Sequence, residues 1–304
     1  MSSDMDEFTR NVFENCKVAF SPNSSNDDRQ KASIFLQNLG ETDASFLVIL
    51  EKIFSATTTP EILIFFSNLT LKTIEKFWGS IETSFLLNLR SFLIEYLKNA
   101  KIDKKSVINC IARVPCRIAK MGWTEDIRYK NMTETIASFL STDIATCNRG
   151  ILVLSIYIEE INKSGNTNRI KNRRISSQFR DKELFNIFKL SVVVLNRIIR
   201  DNNFGISDQE GNSLVESALD LTSNCLNFDF IGTIRDESSD DLKSLQIPEK
   251  WSELLNPSYS DDNKNHIVKI CFQILRLMAK SDFPEFIKSK CICKVFGQIL
   301  LSLF

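Results

Sequence analysis

The chain carries a single histidine, His266, and this narrows the chemistry open to it. A serine or cysteine nucleophile needs a neighbouring base. His266 follows Asn263, Lys264 and Asn265, a polar helix start, and reads as a surface or capping residue. A zinc site with two histidines is impossible. Eight cysteines stand at positions 16, 110, 116, 147, 225, 271, 291 and 293, with no CxxC pair among them. Cys291 and Cys293 would lie about 200° apart around a helix, so one helix cannot aim both at one metal. Asp236, Glu237, Asp240 and Asp241 crowd four carboxylates into a short run. They repel one another and stay wet unless a cation or a basic partner sits there. Gly232 precedes them and no glutamate closes the run, so the calcium-loop spacing is absent. The glycine-rich phosphate fingerprints and the nucleophile elbow are absent as well. The sequence thus predicts no catalytic residues, no cofactor and no metal: a protein that is not an enzyme.

Charge argues against nucleic acid as a partner. Thirty-eight basic residues balance 38 acidic ones, so the chain has no global basic field to hold nucleic acid. Lys163, Arg169, Lys171, Arg173, Arg174, Arg180 and Lys182 do form a basic stretch. It reads as a solvated loop between repeats, or as a patch for an acidic partner or a localisation signal. No aromatic residue interleaves it between 163 and 178, which argues against direct nucleic-acid binding. The longest apolar runs, 62–66 and 150–158, fall far short of the ~20 residues that span a bilayer. The N-terminus, MSSDMDEFTR, is acidic with no apolar core, so no signal peptide is expected. The thiols are then expected to be reduced and to pack as small apolar residues.

The elements that must carry these residues are helices. Phe85, Leu89, Phe92, Leu93, Tyr96 and Leu97 fall on one stripe of a 3.6-residue period. Leu184, Phe188, Val192, Leu195 and Ile199 repeat it, as do Ile267, Ile270, Cys271, Ile274, Leu277 and Met278. No segment shows a bounded two-residue alternation. Caps, glycines and prolines predict helices near 4–20, 27–39, 43–56, 60–78, 80–98, 103–120, 125–140, 143–163, 180–200, 208–228, 264–280 and 284–303. Pro115 should kink the sixth. Taken in pairs, the early helices recur about every 40 residues, the period of HEAT and armadillo arrays. The expected fold is all-α: a HEAT-repeat, armadillo-like, right-handed superhelical solenoid of antiparallel helix pairs. About six repeats would run as one continuous solenoid over 1–304, with insertions at 164–179 and 229–260. The flanks of the second insertion (Phe228, Phe230, Ile231, Leu245, Ile247, Pro248 and Trp251) are apolar and should dock on the array.

Several blocks resemble a known family. Residues 221–251, LTSNCLNFDFIGTIRDESSDDLKSLQIPEKW, are similar to the exportin-seven branch of the importin-β superfamily, which includes Ran-binding proteins sixteen and seventeen. In the same order, 112–123 (ARVPCRIAKMGW), 150–162 (GILVLSIYIEEIN) and 173–188 (RRISSQFRDKELFNIF) also resemble it. Arg29, Ala32 and Leu36 fit the start of the superfamily's N-terminal domain, and 66–78 (FSNLTLKTIEKFW) looks like its helix ending in tryptophan. Members of the family are several times longer, so this chain would match their N-terminal part. The resemblance implies a karyopherin shuttling between nucleus and cytoplasm through the nuclear pore. Its partners would be Ran-GTP, protein cargo and the phenylalanine-glycine repeats of nucleoporins, with no nucleic acid and no membrane. Residues 1–122 would face Ran, and 123–304 would add further repeats. The implied Ran face lies on 27–39, 60–78 and 103–120, with Arg29, Lys31, Gln37, Asn68, Lys72, Lys76, Lys105 and Asn109 as its polar positions. Arg173, Arg174, Arg180, Asp236, Glu237, Asp240 and Asp241 are the candidates for loops that meet partners. The alternative reading is a helical scaffold without Ran control.

Overall fold

Local signals set the helix starts. Ser25 caps the second helix: its Oγ accepts the Asp28 amide N–H at 3.1 Å and donates to the Asp28 carboxylate at 2.7 Å. Asp27 and Asp28 place negative charge at the positive end of that helix. Pro60 opens another helix at its first turn, where no N–H is needed. Asp143 caps a third by accepting the Thr146 N–H at 2.9 Å, and that bond holds its carboxyl below the usual range.

A computed structural model describes residues 2–41, 43–100, 102, 104–163, 169–200, 209–226 and 228. These residues form an all-α helical-repeat fold with no strand among them. The chain divides at Gly122 into two units.

The first unit holds α1 (Ser2–Phe20), α2 (Asn26–Asn38), α3 (Leu50–Ala56), α4 (Pro60–Phe77), α5 (Thr83–Asn99) and α6 (Lys105–Gly122). A 3-10 turn, Ser45–Ile49, leads into α3, where one helix over 43–56 was expected. Asp43 causes this, because its carboxylate accepts the Ser45 N–H at 2.7 Å and tightens the start. α1 packs on α2, and α6 receives both α4 and α5. Phe46, Phe54, Phe66, Leu63 and Leu93 fill the core. Phe54 meets Tyr96 edge-on at 5.2 Å between centroids, the favoured geometry for aromatic pairs. α6 stays helical across Pro115, which is buried inside it. Gly40, at φ +77°, ends the turn after α2.

The second unit begins with a 3-10 turn, Ile127–Lys130, and the short helix α7 (Met132–Ala137). A single helix over 125–140 does not form. Asp126 takes the Arg128 N–H and guanidinium onto its own carboxylate and tightens the chain there. α8 (Ile144–Asn162), α9 (Arg169–Phe179), α10 (Phe185–Arg200) and α11 (Gln209–Leu226) follow. α8 is buried on most of its faces because α7, α9 and α11 all pack on it. Trp123, Tyr157, Phe179 and Phe228 form a fully buried aromatic cluster with centroids 5.1–5.7 Å apart. Elsewhere on α8, Gly150 allows a close approach of Phe139, since a Cβ on it would stand 2.8 Å from Phe139 Cβ.

One expectation is corrected here. The basic residues after 168 are helical: α9 runs from Arg169 and passes through a π turn, Arg180–Leu184, into α10. Ile175 and Phe179, four apart and almost wholly buried, supply the apolar stripe that holds this polar helix in place. The predicted helices 264–280 and 284–303, the insertion 229–260, His266, Cys271, Cys291, Cys293 and Trp251 lie outside the described residues.

Among the described residues, Cys16, Cys110, Cys116, Cys147 and Cys225 are free thiols, and all but Cys110 are buried. Burial pushes the Cys16 thiol up to about 11, and the Cys147 thiol likewise. No described helix is long and apolar enough to cross a membrane.

Candidate functional site

The sequence places four polar residues at four-residue steps along α6: Lys105, Asn109, Arg113 and Arg117. Between them Val107, Ile108, Ile111, Ala112, Val114, Ile118 and Ala119 are buried. Steps of four advance 400° on a 100°-per-residue helix, so the four side chains form one slowly winding ridge. Lys105 is exposed; Asn109, Arg113 and Arg117 are half-buried. Half-burial of an arginine means that its stem lies on apolar surface while its head reaches outward.

α4 presents a matching ridge: Asn68 and Lys72 four apart, then Glu75 and Lys76. Asn68, Lys72, Glu75 and Lys76 are exposed, while Leu69, Thr70, Thr73 and Ile74 between them are buried. The two ridges are joined. Arg117 Nη1 stands 2.9 Å from Glu75 Oε1, with the arginine side chain 26 % exposed and the glutamate 47 %. Both side chains remain partly exposed, so the pair is worth about 0–1 kcal/mol. Lys72, Lys105, Arg113 and Arg117 leave the combined face positive, with Glu75 as its carboxylate. Asn109 Oδ1 and Arg113 Nε are closed off from solvent with no hydrogen-bond partner among the described residues.

The other candidates are placed differently. Arg29 folds back: its Nη2 donates to the carbonyls of Ser21, Pro22 and Ser24 at 3.1, 3.2 and 3.2 Å, closing the α1–α2 turn. Lys31 pairs with Asp27 at 2.6 Å, both strongly exposed, and Gln37 is exposed further along α2. Lys76 reaches the Glu41 carbonyl at 2.6 Å and its carboxylate at 3.0 Å. Its ammonium lies 5.4 Å from the Phe77 ring centroid. Of the eight residues named from the sequence, Asn68, Lys72, Lys76, Lys105 and Asn109 stand on the joined α4–α6 face, with Lys76 already engaged by Glu41. Sequence reading missed Arg113, Arg117 and Glu75. The signal that finds the two arginines is the step of four continued from Asn109.

In the second unit, Arg173 and Arg174 lie on α9, the first half-buried and the second exposed. Lys171 pairs with Glu125 at 3.1 Å, and Arg180 with Asp181 at 2.8 Å. Lys130 stands 5.6 Å over the Trp123 ring, whose indole N–H donates to Gln178 at 3.1 Å. Asp236, Glu237, Asp240 and Asp241 lie outside the described residues. Among the described residues, no cluster of histidine, cysteine and carboxylate suits a metal. The arrangement suits the recognition of a polar protein surface by two neighbouring helices.

No protein-family model matches the chain. Individual relatives do. Exportin-7-B of Xenopus laevis is 36% identical over 170 residues, which is 54% of this chain and 16% of that protein. Ran-binding protein 16 of Drosophila melanogaster is 30% identical over 217 residues, 68% of this chain and 19% of that protein. Ran-binding protein 17 of Homo sapiens is 31% identical over 170 residues, 54% of this chain and 16% of that protein. The chain thus spans less than a fifth of the length of these relatives. With its helical-repeat fold and these matches, the chain is related to part of the exportin-7 and Ran-binding protein 16/17 branch of transport proteins.

Proposed function

We propose that this chain is part of a karyopherin-type nuclear transport receptor, and that the α4–α6 face grips a GTP-bound small GTPase of the Ran kind. The observation that carries this reading is the joined ridge of Asn68, Lys72, Lys105, Asn109, Arg113 and Arg117, fixed by the Glu75–Arg117 pair. The relatives named for export and for Ran binding supply the identity of the partner. The chemistry is binding without catalysis. A GTP-state partner orders its switch segments through the γ-phosphate and so offers a surface that the GDP form lacks. If cargo favours the same arrangement of the repeats, each ligand raises the affinity for the other. Protein cargo and nucleoporin repeats are then the further partners, and the receptor shuttles between nucleus and cytoplasm. Lys31, Gln37 and Lys76 would extend the grip, while Arg29 serves the α1–α2 turn.

The test is binding of the chain to Ran loaded with GTP or GDP, by calorimetry, for wild type and for Lys72→Glu/Arg113→Glu. The expected result is a clear preference for the GTP form, and a loss of at least about tenfold in the double variant, equivalent to about 1.4 kcal/mol. Helix content by circular dichroism should stay at the wild-type level. Equal binding of the two nucleotide forms would sink the reading and favour a helical scaffold without Ran control. An unchanged affinity in the variant would move the grip away from this face.

A further inference from the structure

Arg173-Arg174-Ile175-Ser176 takes no part in the face described above. Two guanidiniums three and two residues ahead of a serine fit the acidic substrate groove of a basophilic protein kinase, because each can bind a carboxylate through two parallel hydrogen bonds. The structure puts this tetrapeptide in the middle of α9. Arg174 is exposed, and Ser176 is half-buried. The Ser176 hydroxyl donates to the Ile161 carbonyl at 3.4 Å, in the last turn of α8.

That position makes the hydroxyl sensitive to charge. The last carbonyls of a helix carry partial negative charge. Glu160, with a side chain only 1 % exposed, lies one residue before Ile161 and is held by Lys163. A phosphoserine carries about −1.5 to −2 charge at pH 7 and offers acceptor oxygens where the serine offered a donor. Acceptor would then face acceptor at the negative end of α8. α9 is short and polar, and an isolated helix of its length is marginal in water. Upstream of Phe179 it is tied by buried Ile175, by the exposed Lys171–Glu125 pair and by Gln178 on Trp123. Phe179 sits in the aromatic cluster, just before the π turn. π turns are irregular points where a helix can change course.

We propose that Ser176 is a phosphorylation site for a basophilic, ATP-dependent serine kinase, and that its phosphate frees 169–178 from α8 while Phe179 stays anchored. The Ser176 Oγ attacks the γ-phosphorus of ATP. The new Oγ–P bond forms as the bond to ADP breaks, and the hydroxyl proton passes to the kinase's base. Local opening of α9 presents the extended tetrapeptide to the kinase, and the modified side chain cannot remake its bond to Ile161.

The full chain is incubated with ATP and the catalytic subunit of a kinase selective for Arg-Arg-x-Ser, and the site is mapped by mass spectrometry. One phosphate at Ser176 is expected, with none in Ser176→Ala, and incorporation slower by at least about tenfold in Arg173→Gln/Arg174→Gln. Hydrogen exchange of 169–178 should then accelerate by about tenfold or more in the phosphorylated chain and stay unchanged in Ser176→Ala. Helix content of both variants is compared with wild type by circular dichroism. No incorporation, or incorporation at Ser177 instead, overturns the site. Phosphate at Ser176 with unchanged exchange at 169–178 overturns the release.

Discussion

Gly40→Ala would expose how tightly the turn after α2 is packed. Gly40 has φ +77°, in the left-handed region that an alanine occupies at a cost of roughly 1–2 kcal/mol. A Cβ there would stand 2.2 Å from Thr73 Oγ1 and 2.9 Å from Phe46 Cε1. Thr73 and Phe46 are each 1 % exposed, so neither can swing into solvent. Overpacking of this kind adds roughly 1–3 kcal/mol, and the two effects together come to about 3 kcal/mol. Unfolding entropy scales at about 2.1 cal/mol/K per residue. If the first unit, Met1–Gly122, melts by itself, that loss lowers its Tm by about 12 °C. If all 304 residues melt together, the drop is only about 5 °C. The assay is a thermal melt by circular dichroism at a fixed concentration, with Gly79→Ala as the control. Gly79 has ordinary φ, and nothing lies within 4 Å of a Cβ placed on it. Gly79→Ala should stay within about 0.5 kcal/mol of wild type. A Gly40→Ala melt that overlays the wild type, or an equal loss in both variants, would refute this account of the turn.

Phe179→Ala should cost about 3–5 kcal/mol in urea unfolding monitored by helix content, because it empties the centre of the Trp123–Tyr157–Phe228 cluster. Asp143→Ala removes the cap of α8 and should cost about 1 kcal/mol in the same assay, with Asp143→Asn recovering most of it. Arg128 holds the Asp126 carboxyl down to about 2; Arg128→Gln should return it toward 3.8 when its titration is followed by NMR. The sign of the alkaline effect follows from the cysteines. Cys16 and Cys147 keep their protons to about pH 11 in the fold but ionise near 9 when unfolded. Their contribution is therefore whole below pH 9 and shrinks as pH rises toward 11, so urea midpoints should fall over that window and fall less in Cys16→Ala/Cys147→Ala.

Much of the fold is legible in the residues. α4, α6 and α8 lie within a few residues of the predicted 60–78, 103–120 and 143–163, because each has a long apolar stripe and a clear start signal such as Pro60 or Asp143. α9 is not legible: eight charged or polar residues out of its eleven hide a stripe of only Ile175 and Phe179, and the π turn carries no local signature. The split of 125–140 comes from Asp126 bonding its own neighbour's amide, a choice that periodicity does not register. The face is legible in part. Lys72 and Lys105 are polar positions on strongly apolar helices and stand out. Arg113 and Arg117 read as interruptions of a buried run until the helix is followed in steps of four. Arg29 shows the limit from the other side: a basic residue on the expected face turns out to bind three backbone carbonyls of its own loop, which only tertiary geometry reveals.

Trp123 makes the second unit observable without any label. Its ring is fully buried, its N–H is bonded to Gln178, and a lysine cation stands over its face. An indole so enclosed emits at short wavelength and is shielded from a dissolved quencher such as iodide. Trp78, in the first unit, is half-exposed and emits further to the red. In a Trp251→Phe background the two signals separate by colour and by quenching. A single emission scan during unfolding would then report which unit opens first, and a partner seated on the first unit should delay the Trp78 component alone.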